Sequence, residues 1–296
     1  MSEERSSAEA TRLEGLWGGQ FGDDYVDRNT GFDHREGFWN ERLQELDCRR
    51  VLEIGCNVGG NLQWIAQHLE ARDVYGVDVN EKALWELARR VPGVNAVWSP
   101  GRELPFRDRW FDLVFTMGVL IHQPDATLPL VMAEMVRTSR RWLLCGEYYA
   151  PEMVEVPYRG QEGALFKRDY GGLFLELFPE LELRGQGFLG KDQGWDDVTC
   201  GCWRRPDREQ QVADAIDLRV RPRPEVVQIG GAKAGQAGNR LGDGVVMLDR
   251  IKRDRDAATQ AQFARPHTAG QHDVLRCHRS LFRFHAGGPA ISVPNL

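Results

Sequence analysis

The sequence predicts an α/β fold: a doubly wound, largely parallel sheet of seven strands with helices on both faces. Short apolar runs alternate with amphipathic segments between residues 34 and 146, an alternation typical of repeated β-α-β units. Residues 111–117 are almost continuously apolar, as expected for a strand covered on both faces. A glycine turn at 55–59 follows the first apolar run, which favours a ligand site at the carboxyl edge of the sheet.

The first half of the predicted fold opens with a helix. Phe38, Trp39, Leu43 and Leu46 recur at helical spacing, so a leading helix is predicted over 34–47. Beyond it the pattern predicts, in order, a strand over 50–55, a helix over 60–70, a strand over 74–79, and a helix over 81–90 that begins after Asn80 as its N-cap.

The second half completes the sheet and contains one long loop. The pattern predicts strands over 94–98, 111–117 and 142–146, helices over 125–139 and 172–177, and two closing strands over 181–189 and 198–203 that pair as a hairpin at the sheet edge. Residues 147–169 lie between these elements, are irregular, and include Pro151, Pro157 and Gly160. Loops of this length in a compact domain are usually functional.

Three segments are predicted along the chain. Residues 1–33 are expected to form an N-terminal lid without regular structure, and 34–205 the folded domain. All nine tryptophans and all six tyrosines precede residue 206, and residues 206–296 carry 14 basic and 10 acidic side chains within a chain whose net charge is −6. We therefore predict that 206–296 is a largely disordered tail, or a read-through or frameshifted segment.

Composition excludes several classes of function. The net charge of −6 argues against general nucleic-acid binding, which needs a basic surface. No apolar run approaches the roughly 20 residues that span a bilayer, and the first residues do not resemble a signal peptide. Six cysteines are scattered and mostly lie in apolar runs, which favours a reduced, cytoplasmic protein. No metal site is predicted, because the tail residues His267, His272, Cys277, His278 and His285 match no zinc spacing.

The turn at 55–59 identifies the expected cofactor. Glu53 precedes Gly55 by two residues, Asn57 and Gly59 follow, and Asp78 ends the next apolar run. Dinucleotide sites place two residues between their second and third glycines, whereas this turn has one. The shorter, glutamate-led turn resembles the first motif of S-adenosylmethionine (SAM) methyltransferases. Asn57 replaces the usual glycine, and Asn tolerates the left-handed backbone conformation.

SAM requires partners for its ribose, its adenine and its methionine end. Asp78, at the end of the second strand, is expected to accept hydrogen bonds from both ribose hydroxyls. Pro100 stands where many methyltransferases have an acid that binds adenine, so Ser99 or backbone near Gly101 is expected to substitute. The predicted cofactor-binding residues are Glu53, Gly55, Cys56, Asn57, Gly59, Asp78, Val79, Ser99, Thr116, Met117 and Gly118, with Tyr25 or Arg28 meeting the methionine carboxylate.

His122 and the 147–169 loop are the candidates for acting on the acceptor. His122 follows the fourth strand and titrates in a range suited to a general base; alternatively it caps the next helix or packs beside adenine. Cationic side chains suit an anionic acceptor, and aromatic rings can stack on sugars. The predicted substrate-binding residues are Glu147, Tyr148, Tyr149, Tyr158, Arg159, Lys167 and Arg168; the alternative is a solvated, charged insertion.

These motifs together resemble one family, the pseudaminic acid biosynthesis-associated methylases. The matching segments are Trp17–Tyr25 with Arg28-Asn29, the turn at 53–59, residues 111–122, and the specific block Glu147-Tyr-Tyr-Ala-Pro-Glu-Met-Val-Glu-Val-Pro-Tyr-Arg-Gly-Gln-Glu-Gly-Ala-Leu-Phe-Lys-Arg-Asp169. The resemblance runs from about Leu13 to Arg204. It implies a Rossmann-like SAM-binding fold and a small-molecule acceptor, a nonulosonic (pseudaminic- or sialic-acid-like) sugar or its nucleotide-activated form.

Three other functions remain open. The chain can be a methyltransferase for an unrelated small metabolite, or a SAM-binding protein without transferase activity, since the adenine-binding acid is missing. An NAD-dependent oxidoreductase or epimerase is the third. The short spacing of the glycine turn and the absence of a Tyr-x-x-x-Lys pair in the sequence speak against it.

Overall fold

The computed structural model describes residues 2–29 and 31–207. All of the described residues belong to one compact unit. The predicted tail from residue 208 onward, including its histidines and Cys277, lies outside the described residues.

The main sheet confirms the predicted fold class. In chain order the strands are β1 (Val51–Ile54), β2 (Val74–Asp78), β3 (Asn95–Trp98), β4 (Phe111–Met117), β5 (Ser139–Glu147), β6 (Val154–Glu155), β7 (Phe166–Lys167), β8 (Glu182–Leu189) and β9 (Val198–Arg204). Seven of them form one sheet in the order β3-β2-β1-β4-β5-β9-β8. β1 to β5 run parallel, and β9 is antiparallel to both β5 and β8. The order reverses between β1 and β4, where open α/β sheets bind their ligands.

Helices cover both faces of this sheet and extend over one edge. They are α1 (Ser2–Gly18), α2 (Gln20–Arg28), α3 (Glu36–Leu46), α4 (Leu62–Ile65), α5 (Glu81–Arg90), α6 (Leu128–Thr138) and α7 (Tyr170–Leu177). The side chain of Asn80 accepts a hydrogen bond from the Ala83 N–H at 2.8 Å, so the predicted N-cap of α5 is confirmed. Within residues 2–29 and 31–207, no helix is both long enough and apolar enough to cross a bilayer.

Two predictions of local structure were wrong. Residues 1–33 are not an irregular lid, because α1 and α2 occupy most of them. The predicted helix over 60–70 is a single turn, α4, after which the Gln67 and His68 N–H groups bond to carbonyls three residues back. That pattern is typical of turns, whereas an α-helix needs bonds four residues back.

The core lies in two layers, one on each face of the sheet. Phe115 faces α3 and α4 with Trp39 and Leu62, whereas its neighbour Val114 faces α6 with Met132. Because helices cover both faces of β4, its sequence does not alternate between apolar and polar residues as a half-exposed strand would. The five described cysteines are all unpaired and buried, as their positions in apolar runs predict.

Candidate functional site

A cavity of about 570 Å³ lies at the carboxyl edge of the sheet. Its floor comes from the ends of β1, β2, β4 and β5. Its walls come from α1 and α2, from the 147–169 loop and from the turn between β8 and β9. Parallel strands bring their carboxyl ends to one edge, so motifs distant in sequence meet here.

The glycine turn has the backbone that its sequence predicts. Gly55, Asn57 and Gly59 have φ angles of +69°, +46° and +79°, a region that side chains other than Asn rarely enter. A β-carbon at Gly55 would collide with the Val119 side chain. The Asn57 side-chain oxygen accepts hydrogen bonds from the Val58 N–H at 2.7 Å and from the Asn29 amide at 3.2 Å. The turn therefore keeps its backbone at the cavity wall.

Asp78 is fixed at the end of β2 by two backbone donors. Its Oδ2 accepts from the Asn57 N–H and its Oδ1 from the Asn80 N–H, each at 2.9 Å. Burial raises the pKa of Asp78, and these backbone hydrogen bonds act in the opposite direction. A carboxylate has about four lone-pair sites, so Asp78 can still accept two hydroxyl hydrogens from a ligand in the cavity.

Glu53 presents an unsatisfied oxygen beside the same turn. Its side chain is 2% exposed, Oε1 accepts from the Asn61 amide at 2.5 Å, and Oε2 has no partner among the described residues. Burial raises the pKa of Glu53 to about 8. A buried carboxylate oxygen without a partner is unfavourable, and the ammonium of an amino acid would satisfy it. This position fits the methionine end of SAM.

Cationic groups lie close enough to complement a carboxylate on the same ligand. Arg28 of α2 lies over the Tyr25 ring at 5.1 Å and has no acidic partner within the described ranges. Burial raises the pKa of Tyr25 to about 12. Arg35, which the sequence interpretation missed, donates to the Asn61 side-chain oxygen at 3.0 Å and lies over the Trp195 ring at 4.7 Å. All three side chains line the cavity.

His122 lines the cavity in a defined tautomer. It ends a short helical turn, Leu120–His122, and its Nδ1 lies 2.5 Å from the Ala164 carbonyl oxygen. A carbonyl only accepts hydrogen bonds, so Nδ1 carries the hydrogen and Nε2 keeps its lone pair. Burial lowers the pKa of His122 to about 4, which keeps the ring neutral near pH 7. The Trp17 and Tyr158 rings pack against it at 4.5 and 5.3 Å between centroids.

The predicted cofactor residues mostly converge on the cavity. Those that line it are Glu53, Gly55, Cys56, Asn57, Asp78, Val79, Ser99, Met117, Gly118, Tyr25 and Arg28. Two do not. Thr116 is fully buried and donates its hydroxyl to Glu147 at 3.0 Å, and a β-carbon at Gly59 would point at Leu87. The Ser99 hydroxyl is bonded to the Glu103 carbonyl at 2.9 Å, so backbone near Gly101 is the freer partner for adenine.

Only part of the predicted substrate-binding set reaches the cavity. Tyr148, Tyr158 and Arg159 line it. Arg159 has a φ of +49°, lies over the Tyr158 ring at 5.9 Å, and has no acidic partner in the described chain.

The other four predicted substrate residues are directed elsewhere. Tyr149 is 53% exposed outside the cavity, because side chains along an extended segment alternate in direction. The Lys167 ammonium lies over the Tyr148 ring at 5.4 Å, and Arg168 forms an ion pair with Asp125 at 2.7 Å. Glu147 is 1% exposed and binds backbone and the Thr116 hydroxyl. None of these four residues lines the cavity.

Trp195 and Asp196 are among the residues that line the cavity without having been predicted as site residues. Both lie in the turn between β8 and β9 and close one wall. Trp195 is buried against Phe38 and His34, at 5.2 and 5.7 Å between ring centroids. Nothing local to 190–197 indicates this placement, since it depends on how the hairpin meets the chain before β1.

Known proteins match this chain in part. A family of methyltransferase domains matches residues 51–141. The phthiotriol/phenolphthiotriol dimycocerosates methyltransferase 1 of Mycobacterium ulcerans (strain Agy99) is 32% identical over 98 residues, which are 32% of this chain and 35% of that protein. The chain therefore matches about a third of the length of this relative.

Solved structures agree with the fold. The 1,6-didemethyltoxoflavin-N1-methyltransferase of Burkholderia thailandensis, with bound S-adenosylhomocysteine, has a TM-score of 0.53 at 17% identity and covers 69% of this chain and 90% of its own. The magnesium protoporphyrin IX methyltransferase of Synechocystis PCC 6803, with bound SAM, has a TM-score of 0.51 at 13% identity and covers 67% of this chain and 97% of its own.

At 13% and 17% identity the solved structures establish the fold alone. The family match identifies which part of the chain, residues 51–141, is similar to methyltransferase domains. The described chain has the fold of these SAM-bound and S-adenosylhomocysteine-bound methyltransferase structures.

Proposed function

We propose that this chain is a SAM-dependent methyltransferase whose acceptor is an anionic sugar, a nonulosonic acid or its nucleotide-activated form. One observation carries the proposal. The cavity that holds the glycine turn and Asp78 is also lined by Tyr148, Tyr158 and Arg159, which belong to the block that resembles the pseudaminic acid biosynthesis-associated methylases.

The donor half of the site holds SAM through complementary polar groups. Asp78 accepts the ribose hydroxyls, Glu53 accepts the methionine ammonium, and Arg28 binds its carboxylate. Backbone near Gly101 serves the adenine. Bound SAM supplies an electrophilic methyl group on a sulfonium, and an in-line displacement at that carbon depends mainly on alignment of the acceptor.

The acceptor half provides a cation, aromatic surfaces and a proton acceptor. Arg159 binds the carboxylate or phosphate of the sugar with charge-assisted hydrogen bonds, and Tyr158 packs against the ring. With SAM bound, His122 Nε2 would accept the proton of the hydroxyl or amine while the acceptor atom bonds to the methyl carbon and the carbon–sulfur bond breaks, with S-adenosylhomocysteine as the leaving group. Because the His122 pKa is about 4, the ring is a weak base at rest, and the developing positive charge on the acceptor atom drives the proton transfer.

The experiment that tests the proposal is a methyl-transfer assay with a panel of acceptors. The full chain is incubated with SAM and with free nonulosonic acids, their nucleotide-linked forms, a neutral hexose and an unrelated hydroxylated metabolite. The products are read by mass spectrometry. We expect one added methyl group on a nonulosonic acid or its nucleotide-linked form. Methylation confined to the neutral hexose or the unrelated metabolite would overturn the assignment of the substrate.

Arg159 is the residue whose removal best tests the charge of the acceptor. Arg159→Gln should raise the KM for an anionic acceptor roughly ten- to hundredfold, since hydrogen bonds to charged groups contribute about 1.5–3 kcal/mol. SAM affinity should stay unchanged. Arg168→Gln is the matched control, because Arg168 pairs with Asp125 outside the cavity. Equal acceptor KM values for wild type and Arg159→Gln would show that this arginine does not bind the acceptor.

A further inference from the structure

Glu147, the last residue of β5, is a buried carboxylate with several donors aimed at it. It is 1% exposed. Its Oε1 accepts from the Thr116 hydroxyl at 3.0 Å and the Val119 N–H at 3.2 Å, and its Oε2 accepts from the Ile121 N–H at 3.2 Å. Both oxygens are therefore engaged by one short stretch of the chain, residues 116–121.

That stretch is the loop that carries His122. The Gly118 N–H donates to the Gly146 carbonyl at 2.8 Å, and the His122 N–H donates to the Val119 carbonyl at 3.0 Å. The loop is thus joined to the end of β5 by backbone at Gly118 and by the Glu147 carboxylate at Val119 and Ile121. The imidazole has one further anchor, the Ala164 carbonyl.

We propose that Glu147 is a positioning residue: by accepting the Val119 and Ile121 N–H groups it sets the direction in which His122 Nε2 faces the acceptor. This inference rests on the proposed role of His122. Glu147 itself touches no part of the cavity and acts only through the loop. Small displacements of a catalytic group cost large factors in rate, so loss of the carboxylate should affect turnover more than binding.

The protonation state of Glu147 gives this arrangement a pH signature. Burial raises the pKa of Glu147 to about 7, against the effect of its backbone hydrogen bonds. The titratable groups that face it from neighbouring elements are Cys145, Tyr148, Tyr170 and Cys200. Protonation turns one carboxyl oxygen into an O–H donor and weakens it as an acceptor for an N–H. The loop should therefore loosen as pH falls through about 7, while His122 stays neutral down to about pH 4.

The kinetic test uses Glu147→Gln and a matched control. Asp112 also caps backbone, accepting the Arg49 and Arg50 N–H groups at 3.0 and 3.1 Å, but at the opposite end of β4. In the wild type, kcat should fall as pH drops through about 7. For Glu147→Gln we expect a kcat reduced roughly tenfold or more, a similar SAM Kd, and no such fall in kcat near pH 7. Asp112→Asn should lower the stability of the protein but keep the wild-type kcat and its fall near pH 7. Glu147→Gln with the wild-type kcat and pH profile would overturn the proposal.

A spectroscopic test needs neither turnover nor a folded variant. Nitrogen NMR of the His122 imidazole in the wild-type chain, with S-adenosylhomocysteine added, is followed from pH 9 to pH 4. We expect the nitrogen chemical shifts of the imidazole to change near pH 7 while the ring is still neutral. A ring that responds only near pH 4 would show that Glu147 does not control His122. Because this readout is independent of methyl transfer, it separates failure of the inference from failure of the proposed function.

Discussion

Asp78, Glu53 and His122 show how burial and hydrogen bonding prepare individual side chains for a charged ligand. Asp78 is oriented by two backbone N–H groups, Glu53 keeps one oxygen without a partner in the described chain, and His122 has its tautomer set by the Ala164 carbonyl. Each arrangement leaves defined hydrogen-bonding capacity toward the cavity. The amino acids at these positions could be identified from sequence, but their protonation and orientation depend on contacts that sequence does not show.

Asp78→Ala should weaken SAM binding. The change removes the acceptor for the ribose hydroxyls, so we expect a loss of about 1.5–3 kcal/mol, measured by calorimetry with SAM and S-adenosylhomocysteine. Asp73→Ala serves as the control, because Asp73 pairs with Arg50 at the other end of β2. Wild-type affinity in Asp78→Ala would remove the ribose assignment.

Glu53→Gln should stabilise the ligand-free protein while weakening SAM. The folded-state pKa of Glu53 is about 8, above its ordinary value of 4.5. The folded protein therefore holds a proton that the unfolded chain releases, and this group's contribution to stability falls as pH rises from about 4.5 to 8. The neutral amide of glutamine does not ionise, so this loss disappears. The free energy of unfolding of the variant should therefore exceed that of the wild type by on the order of a few kcal/mol at pH 9 and by little at pH 4.

The measurement is thermal unfolding at both pH values, alongside SAM calorimetry. Glu86→Gln is the control, because Glu86 pairs with Arg89 on the surface of α5. A Glu53→Gln protein that is no more stable at pH 9, or that binds SAM as well as wild type, would contradict the assignment of the methionine ammonium to this carboxylate.

Among the elements, α1 and α2 matter most to the site and were missed from sequence. α1 is tied to the 147–169 loop by Arg12, which donates to the Gly163 carbonyl at 2.9 Å, and to the stretch after β3 by the Glu14–Arg102 pair at 2.6 Å. Its last turn places Trp17 against His122. Ala10, Leu13 and Trp17 follow helical spacing, so the signal existed but was weak beside the many charged residues.

Trp17→Ala should impair the acceptor site more than the fold. Trp17 packs on four rings, those of Phe21, Tyr25, His122 and Tyr158, and each aromatic contact contributes about 0.5–1.5 kcal/mol. We expect a higher acceptor KM and a lower kcat in steady-state kinetics. Trp85→Ala is the control, since Trp85 is 76% exposed on α5 and such surface changes usually stay within about 0.5 kcal/mol. Equal effects of the two variants would refute a specific role for Trp17.

The elements predicted correctly from sequence are those determined by interactions between residues close together in the chain. β4 was predicted at Phe111–Met117 and α5 at Glu81–Arg90 with its Asn80 cap, and the structure places both there, because local periodicity and capping determine them. Glu147 was assigned to substrate because it begins a charged block. Its burial depends on donors near residue 120, which only the pairing of β4 with β5 brings within reach.

For the molecule as a whole, the region that matches methyltransferase domains, residues 51–141, supplies only part of the cavity. The donor groups Glu53 and Asp78 lie inside that region, whereas Arg28, Tyr158 and Trp195 come from chain on either side of it. Outside residues 51–141, the cavity is lined by residues of α1, α2, the 147–169 loop and the β8–β9 turn, among others.

Transfer of an isotope-labelled methyl group from SAM to a nonulosonic acid, followed by NMR, tests the central claim most directly. The account predicts a new methyl resonance attached to one oxygen or nitrogen of the sugar acid or its nucleotide-linked form. At SAM and acceptor concentrations near the wild-type KM values, that resonance should be strongly reduced with Asp78→Ala and with Arg159→Gln. A protein that binds SAM and methylates a neutral metabolite, but never labels a nonulosonic acid in either form, would contradict the account.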